Sequence, residues 1–253
     1  LTSATLATRD GFSFVRRRLG VTNGLRVREA VFPSPFDYEA QTMIVVPTDL
    51  PAPGRSEEHP HLHTRTAEIV LDFAEISDGG IFVLFTSYRA LKTVAAVLRK
   101  AGIERRWPLF VQGESARATL LESFVLSGRG VLLGVSSFWE GVDVPGDPLR
   151  GIILTKLPFK VPTEPVTAAQ CEAIEARGGD AFAEYMIPHA SLRLKQGFGR
   201  LIRTATDRGV VIVADPRIVT KNYGRGLLNA LPPAKRVVKR WAEIRELLGE
   251  YYG

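Results

Sequence analysis

Ile81-Phe82-Val83-Leu84-Phe85 is followed by Thr86-Ser87-Tyr88 and then by a helical pattern of apolar residues over Arg89–Lys100. Consecutive apolar residues bounded by small polar ones predict a strand that is buried on both faces. The same alternation recurs along the chain. Further strands are predicted at Met43–Val46, Leu109–Val111, Val131–Val135, Gly151–Thr155 and Val210–Ala214, and further helices at Arg65–Ile76, Ser115–Leu126 and Glu184–Arg203. We therefore predict an α/β fold with a mostly parallel sheet and helices on both faces.

The segments between and after these elements are more irregular. Pro232–Leu248 begins with prolines and has helical apolar spacing, so we predict a terminal helix there. Pro47–Pro60, which is rich in proline, reads as a surface loop, and Val161–Gly179 as an irregular or part-helical insertion. His59, His61 and His63 alternate in this polar region without carboxylate partners at helical spacing, so we interpret them as surface residues and predict no metal site.

Composition limits the classes of function. The 253 residues include 33 Lys and Arg against 27 Asp and Glu, and the pI of about 9.6 favours a polyanionic partner without proving one. The single cysteine, Cys171, excludes an internal disulfide and a cysteine-based zinc or iron–sulfur site within this sequence. No apolar run reaches the ~20 residues of a membrane span, and the first residues lack a signal-peptide pattern. We expect a cytoplasmic protein without a membrane partner and, since the sequence starts without Met, a fragment.

Gln196-Gly197-Phe198-Gly199-Arg200-Leu201-Ile202-Arg203 is unusual within a predicted helix. In a helix Gln196, Arg200 and Arg203 are spaced i, i+4 and i+7 and share one face. Each glycine costs a helix interior about 1 kcal/mol relative to alanine, so a large group or another backbone is expected to approach that face. Two guanidinium groups suit a phosphoryl group, and we expect them on the same side of the domain as the strand tips. The alternative is a solvated basic face.

The loop after Val131–Val135 reads Ser136-Ser137-Phe138-Trp139-Glu140-Gly141-Val142-Asp143-Val144-Pro145-Gly146. Open parallel sheets bind ligands at the carboxyl ends of their strands. Hydroxyl and backbone N–H groups of this loop suit phosphates, its aromatic rings suit bases, and Glu140 and Asp143 suit the nucleotide side. The alternative is a tight loop with buried aromatic residues and a capping aspartate.

Both segments resemble helicase motifs. Gln196-x-x-Gly199-Arg200-x-x-Arg203 resembles the last conserved motif of superfamily 2 helicases. The loop after Val135, together with Lys156-Leu157-Pro158-Phe159, resembles the DinG branch of the XPD-like helicases. Other stretches resemble this family in order and spacing: Ser3-Ala4-Thr5, Ser34-Pro35-Phe36-Asp37-Tyr38, Leu84-Phe85-Thr86-Ser87-Tyr88 and Asp215-Pro216-Arg217. Lys160 departs from the family, which often has proline there. The resemblance implies a RecA-like fold.

The resemblance also implies roles for individual residues. Arg200 and Arg203, with Gln196 beside them, are expected at the γ-phosphate of ATP, and Ser3, Ala4 and Thr5 are expected to couple hydrolysis to strand movement. Residues expected to line the nucleotide cleft are Glu140, Gly141, Asp143 and Gly199. Residues expected near nucleic-acid phosphates are Thr86, Ser87, Gln112, Ser136 and Ser137. Lys156 either meets phosphate or caps its strand, and the rings of Tyr88, Trp139 and Phe159 either face bases or belong to the core.

One part of an ATPase is missing from the sequence. The phosphate-binding pattern G-x-x-x-x-G-K-[ST] does not occur, so this chain alone is expected to be inactive. The resemblance implies that ATP and Mg²⁺ are held mainly by a first RecA-like lobe elsewhere in the parent protein, where an iron–sulfur cluster is also possible. Residues 1–33 are then the end of that lobe with its linker, and residues 34–253 the second lobe. The implied partners are this first lobe and single-stranded, forked or R-loop DNA.

The implied function is that of a 5′-to-3′ ATP-dependent DNA helicase lobe of DinG type. Three alternatives remain open at this point. The first is the lobe of an XPD-type repair or transcription helicase. The second is a stand-alone nucleic-acid-binding module that uses the same basic surface. The third is a RecA-like scaffold that has lost catalysis.

Overall fold

The computed structural model describes residues 2–3, 6–8, 11–21, 26–51, 53, 60–135, 138 and 149–253. Within these residues the strands are β1 (Thr42–Pro47), β2 (Ile81–Leu84), β3 (Leu109–Val111), β4 (Val131–Gly134), β5 (Gly151–Leu154), β6 (Gly209–Val213) and β7 (Lys235–Lys239). They form one sheet in the order β3-β4-β2-β5-β6-β1-β7, and every described pairing is parallel. The predicted α/β fold, its parallel sheet and its six predicted strands are confirmed.

Helices cover both faces of the sheet, as the buried strands predict. The described helices are α1 (Ser13–Arg18), α2 (Tyr38–Gln41), α3 (Pro60–Ser77), α4 (Tyr88–Lys100), α5 (Arg117–Ser127), α6 (Pro165–Ala176), α7 (Ile187–Phe198), α8 (Arg217–Thr220), α9 (Asn222–Ala230) and α10 (Trp241–Tyr252). A π-helical turn, Phe182–Met186, precedes α7. Alternate side chains of each strand enter two separate cores: α3, α4 and α10 pack on one face, and α5, α7, α8 and α9 on the other.

The predicted terminal helix over Pro232–Leu248 is wrong in its first half. Residues Lys235–Lys239 form β7, which pairs with β1 along its whole length and is the edge of the sheet. Only Val237 of this strand is buried. Pairing satisfies the backbone polar groups on one side of the strand, and this gain outweighs the weak helical spacing of the sequence. The helix starts at Trp241, whose backbone N–H donates to Asp49 Oδ1 at 2.8 Å and whose indole donates to Asp72 at 2.7 Å.

The predicted loop Pro47–Pro60 agrees with the structure to within one residue at each end, but the helix after it starts earlier than the predicted Arg65. Pro47 is the last residue of β1, and α3 already begins at Pro60. His61 and His63 therefore lie in a helix and not in a loop; His61 is exposed, as predicted, whereas His63 is buried, so its interpretation as a surface residue is wrong. His59 lies outside the described residues. The physical reason is that α3 covers one face of the sheet, and its first turns are needed to bury Leu62.

Candidate nucleotide and nucleic-acid sites

The carboxyl ends of the parallel strands meet at one edge of the sheet, and this carboxyl edge collects most of the predicted nucleic-acid residues. Thr86 and Ser87 follow β2, Gln112 follows β3, and Lys156 follows β5. Ser136, Ser137, Trp139, Glu140, Gly141 and Asp143 follow β4 in sequence but lie outside the described residues. The sheet therefore brings together hydroxyl, amide and ammonium groups from three strands that are distant in sequence.

Gln112 connects two strand tips to the start of α4. Its side-chain nitrogen donates to the hydroxyl of Tyr88 at 2.7 Å, and its side-chain oxygen accepts from the backbone N–H of Val135 at 2.6 Å. Tyr88 is half exposed at 49%. The amide of Gln112 thus orients the Tyr88 ring and the beginning of the loop after β4, a positioning role that the sequence alone did not indicate.

The first turn of α4 presents the predicted phosphate-contacting hydroxyls. The Ser87 hydroxyl accepts a hydrogen bond from the backbone N–H of Ala90 at 3.3 Å and so caps the helix. Thr86 is exposed beside it. Lys156 is half-buried, and its ammonium makes no hydrogen bond or ion pair with any residue that the structure describes. The N-terminus of α4 carries the positive end of the helix dipole at this edge, which suits an anionic ligand.

Asp215, at the end of β6, fixes the neighbouring loop after β5. Its carboxylate is fully buried, accepts from the backbone N–H of Leu157 at 2.8 Å and pairs with the Arg217 guanidinium at 2.6 Å. Hydrogen bonding to Asp215 raises the pKa of Arg217 above its usual value. This buried pair was not among the predicted site residues. The only sequence signal for it was the Asp215-Pro216-Arg217 segment of the family resemblance.

Phe159 belongs to a cluster of three aromatic rings. Its centroid lies 5.4 Å from that of Phe182 and 5.4 Å from that of Tyr223, and those two rings are 5.3 Å apart. Phe159 is partly buried, whereas Phe182 is 41% exposed. Of the two predicted possibilities for Phe159, the packing favours the core. Phe182 is the ring of this cluster that offers the larger exposed surface for stacking.

The predicted helix Glu184–Arg203 begins within three residues of the observed helical segment but is wrong at its C-terminal end. Residues Phe182–Met186 form the π-helical turn, and α7 ends at Phe198 with Gly199 as its C-cap. Arg200 lies in a turn closed by a hydrogen bond from its N–H to the Gly197 carbonyl, and Arg203 is outside the helix. The chain leaves the helix at Gly199, and the Asp207 carboxylate then accepts from the backbone N–H groups of Arg203 and Thr204, which a continuing helix would pair with its own carbonyls. Gln196, Arg200 and Arg203 therefore do not share a helical face.

Asp207 holds the segment that contains Arg203. Its carboxylate accepts from the backbone N–H groups of Arg203 at 2.7 Å and Thr204 at 2.8 Å and from the Thr204 hydroxyl at 2.6 Å. Burial alone would raise the pKa of Asp207, but these hydrogen bonds outweigh burial and lower it. The buried amide of Gln41 donates to the carbonyls of Thr204 and Asp207 at 3.0 and 2.9 Å. These two residues, unrecognised in the sequence, fix the backbone of Arg203.

The two groups of predicted site residues lie at opposite edges of the sheet. The Arg203–Asp207 segment directly precedes β6, and Gln41 directly precedes β1, so this segment lies at the amino edge. Thr86, Ser87 and Gln112 lie at the carboxyl edge. The expectation that the arginines share the side of the strand tips is therefore wrong for the described tips. The reason is topological: α7 returns the chain from the carboxyl edge to the amino edge, as every crossover in a parallel sheet must.

The last turn of α7 carries Gln196 at the amino edge. The side-chain oxygen of Gln196 is buried and accepts no hydrogen bond from any described residue, and the Nε of Arg200 is buried too. Gly199 is exposed at the C-cap. The neighbouring Lys195 donates to the backbone carbonyl of Ala7 at 2.8 Å, and burial lowers the pKa of Lys195. Amide, guanidinium and ammonium groups are thus concentrated where the N-terminal segment meets α7.

A comparison with protein families decides the classification. Residues 70–234 match the helicase C-terminal domain family, which is more than half of the chain. The chain belongs to the helicase C-terminal domain family. All the predicted site residues except Ser3, Ala4 and Thr5 lie inside this matched range.

Relatives and solved structures agree with this classification. The chain is 41% identical over 235 residues to the ATP-dependent DNA helicase YoaA of Haemophilus influenzae, and the match covers 93% of this chain and 35% of the relative. It is 39% identical over 243 residues to the ATP-dependent DNA helicase DinG of Photobacterium profundum, covering 94% and 34%. A solved structure named XPD_APO matches with a TM-score of 0.61 at 18% identity, covering 80% and 40%, and supports the predicted RecA-like fold. The chain thus spans about a third of the length of these relatives.

The N-terminal segment of the chain, which precedes the matched range, is packed along α7. Phe14 of α1 is buried, and its ring contacts His189 edge-on at 5.2 Å between centroids. Arg18 lies 2.8 Å from His189 Nε2, and Arg17 pairs with Glu184 at 2.9 Å. Burial, followed by the charge of Arg18, lowers the pKa of His189 to about 4. Ser3 is exposed, and Ala4 and Thr5 lie outside the described residues. No helix in the described part of the chain is long and apolar enough to span a membrane.

Proposed function

We propose that residues 34–253 are the second RecA-like lobe of a DinG-type ATP-dependent DNA helicase, and that residues 1–33 are the end of its first lobe. The family match, the two relatives named as ATP-dependent DNA helicases and the motif order support this proposal. The full-length enzyme would move 5′ to 3′ on single-stranded DNA and open forked or R-loop DNA in the bacterial cytoplasm, associated with the nucleoid. ATP and Mg²⁺ would be held mainly by the first lobe, which would also hold an iron–sulfur cluster if the parent has one.

The fixed backbone of Arg203 is the observation that carries the nucleotide half of this proposal. An arginine that stabilises a transferring phosphoryl group must be held in place before the reaction, because positioning and charge supply nearly all of the catalysis. Asp207 and Gln41 supply four hydrogen bonds to the Arg203–Asp207 backbone. Arg200, Gln196 and Gly199 lie immediately before it. Arg200 and Arg203 would neutralise charge on a triphosphate presented by the first lobe, so they need not share an edge with the strand tips.

The carboxyl edge would carry the DNA. Thr86, Ser87 and Lys156 would contact phosphates, Tyr88 and the Phe159 cluster would meet bases, and Gln112 would hold Tyr88 in place. Ser136, Ser137 and Trp139 would extend this surface, and Glu140, Gly141 and Asp143 would face the nucleotide. With the two sites at opposite edges, hydrolysis would move DNA by shifting the two lobes relative to each other, with Ser3, Ala4 and Thr5 in the connection.

Arginine replacement in the full-length enzyme tests the proposal. Arg200→Ala or Arg203→Ala should each reduce DNA-stimulated ATP turnover by about 10³ or more while the fold survives. Arg208→Ala is a matched control, because Arg208 is exposed in the same connection before β6. Turnover within a few-fold of the parent enzyme for both arginine variants would refute their role.

The isolated chain provides a second test. Without a phosphate-binding loop it should hydrolyse no ATP, and it should bind single-stranded DNA weakly, with affinity that falls as salt rises. ATPase activity of the purified chain would show that a complete active site exists within it. The alternative of a stand-alone nucleic-acid-binding module predicts a different result from the helicase lobe. If it is correct, Arg200→Ala and Arg203→Ala in the full-length protein would change no nucleotide-dependent property.

A further inference from the structure

A basic cavity lies on the side of α9 that faces β7. It has a volume of about 460 Å³ and is lined by residues of α8, α9 and β7, among them Lys221, Asn222, Arg225, Asn229 and Arg236. Three of these side chains are cationic, and among the residues that the structure describes no acidic side chain lines the cavity. It is separate from the site residues of the carboxyl edge and of the Arg203–Asp207 segment.

The positive charges of α9 are not compensated within the described part of the chain. Lys221 and Arg225 are exposed, are spaced i, i+4 and make no hydrogen bond or ion pair with a described residue. Lys221 is the N-cap residue of α9 and Arg225 lies in its first turns, and cations near a helix N-terminus are opposed by the helix dipole. The first turn of α9 contains no acidic residue, and no side chain caps it. This arrangement destabilises the isolated helix, and an anionic ligand would relieve it.

Arg236 is held ready on the opposite wall. Its two terminal nitrogens donate to the Asn229 side chain and to the Leu228 carbonyl, both at 3.0 Å. A guanidinium fixed in this way loses little freedom on binding a phosphate. Gly224 also fixes the geometry, because a side chain there would place its Cβ 2.1 Å from the carbonyl oxygen of Ile218, and α9 therefore packs tightly against α8.

A structural role explains only some of these charges. Lysine and arginine on an edge strand prevent pairing with other chains, and this accounts for exposed Lys235, Lys239 and Arg240 on and after β7. It does not account for Lys221, the N-cap residue of α9, or for Arg225 within that helix. These two residues instead line one cavity together with Arg236.

We propose that Lys221, Arg225 and Arg236 form a second contact for the phosphodiester backbone of single-stranded DNA, beyond the carboxyl edge. The inference rests on the proposed function, which supplies DNA at that edge. The start of α9 packs against the aromatic cluster that follows β5, because the ring of Tyr223 contacts those of Phe159 and Phe182, so the same helix turn joins the cavity to that cluster. Backbone contacts without base recognition fit a translocating enzyme, which must hold any sequence.

A matched pair of charge reversals tests the proposal in the 253-residue chain. The Lys221→Glu/Arg225→Glu variant should weaken binding of a fluorescent oligothymidine by tenfold or more in about 0.1 M salt. It should also reduce the slope of log affinity against log salt by about 1.4, the value for two phosphate contacts on a single strand. The control is Lys100→Glu/Arg105→Glu, which changes net charge equally at two exposed residues that make no ion pair with a described residue. It should change affinity less than twofold.

The outcomes separate this inference from the proposed function. Equal weakening by both double variants, or no weakening by either, would overturn the second contact while leaving the carboxyl edge as the DNA site. An unaltered chain that binds no oligothymidine would count against the proposed function and the second contact together. Inorganic triphosphate is the remaining probe. Three results together would show that the cavity holds free polyphosphate and would overturn the DNA assignment. Inorganic triphosphate would stabilise the unaltered chain thermally, only the Lys221→Glu/Arg225→Glu variant would lose that stabilisation, and the oligothymidine affinity of this variant would be unchanged.

Discussion

The carboxylate of Asp207 accepts a hydrogen bond from the backbone N–H of Arg203 at 2.7 Å, four residues earlier in the chain. The same carboxylate oxygen accepts from Thr204, and the other oxygen accepts from the Thr204 hydroxyl. A short, irregular segment that carries an arginine at the amino edge is therefore held by one buried charge. Its position depends on that charge and on Gln41, which is more than 160 residues away in sequence.

Removing the Asp207 carboxylate should loosen this segment. We expect Asp207→Ala to lower the free energy of unfolding by about 2–3 kcal/mol, since it removes the charged acceptor of three partly buried hydrogen bonds, two from backbone N–H groups and one from the Thr204 hydroxyl. Asp207→Asn should cost less, because one oxygen remains as an acceptor. Urea denaturation of both variants measures the difference, and equal values for them would contradict the role assigned to the carboxylate. In the full-length enzyme, ATP turnover should fall in the same order.

The stability supplied by Asp207 should depend on acid pH. Its native pKa lies below the unfolded value of about 3.9, so the contribution is complete above that value and is lost as pH falls through the native pKa. Unfolding of the unaltered chain and of Asp207→Asn, measured from pH 6 downward, should converge below about pH 4. Parallel curves throughout that range would contradict the shifted pKa.

Breaking the buried pair of Asp215 and Arg217 should be costly. Asp215→Asn leaves a half-buried guanidinium without its counter-charge, and we expect a loss of about 2–4 kcal/mol in the free energy of unfolding. Glu75→Gln is the matched control. Glu75 pairs with Arg106 and Arg245 but is 53% exposed, so its loss should cost less than about 1 kcal/mol. Chemical denaturation should show this contrast; similar losses for both variants would mean that Asp215 contributes no more than a surface charge.

His189 should make stability depend on pH in the weakly acid range. Its native pKa of about 4 is below the unfolded value of about 6.5, so between these values only the unfolded chain takes up the proton. Stability should therefore rise from pH 4 to 6.5, by about 2 kcal/mol after allowance for solvent screening, and be fully present above that range. His189→Gln should abolish most of this rise. An NMR titration that places the pKa of His189 near 6.5 would contradict the prediction.

The exposed ring of the aromatic cluster offers a test of base stacking. Phe182→Ala should weaken oligothymidine binding by about 5- to 100-fold, since stacking on one aromatic ring contributes about 1–3 kcal/mol per base. Phe159→Ala should chiefly lower stability, because that ring is partly buried between Phe182 and Tyr223. Fluorescence anisotropy and thermal unfolding separate the two effects. Unchanged affinity for Phe182→Ala would remove this cluster from the DNA surface.

Local sequence patterns were sufficient for most of the sheet. Runs such as Ile81–Phe85 and Val131–Val135 are buried on both faces of the sheet, and neither run contains a signal for a helix start or end. Their consecutive apolar residues therefore predicted strands correctly. The order of the motifs was sufficient to predict the family, because a resemblance that spans several segments does not depend on the exact start or end of any one helix or strand. The edge strand β7 was missed because a strand with one buried residue has almost no apolar signal.

The α/β fold, six of the seven described strands and the family could be predicted from the sequence, since these follow from apolar runs and short motifs that are read within a few residues. The positions of Arg200 and Arg203 follow from contacts that no local pattern shows. After α7 ends at Phe198, the Asp207 carboxylate accepts from the Arg203 N–H, and hydrogen bonds from Gln41 across the chain fix the segment at the amino edge. Such contacts join residues far apart in sequence, and their free energy outweighs the local preference for a longer helix.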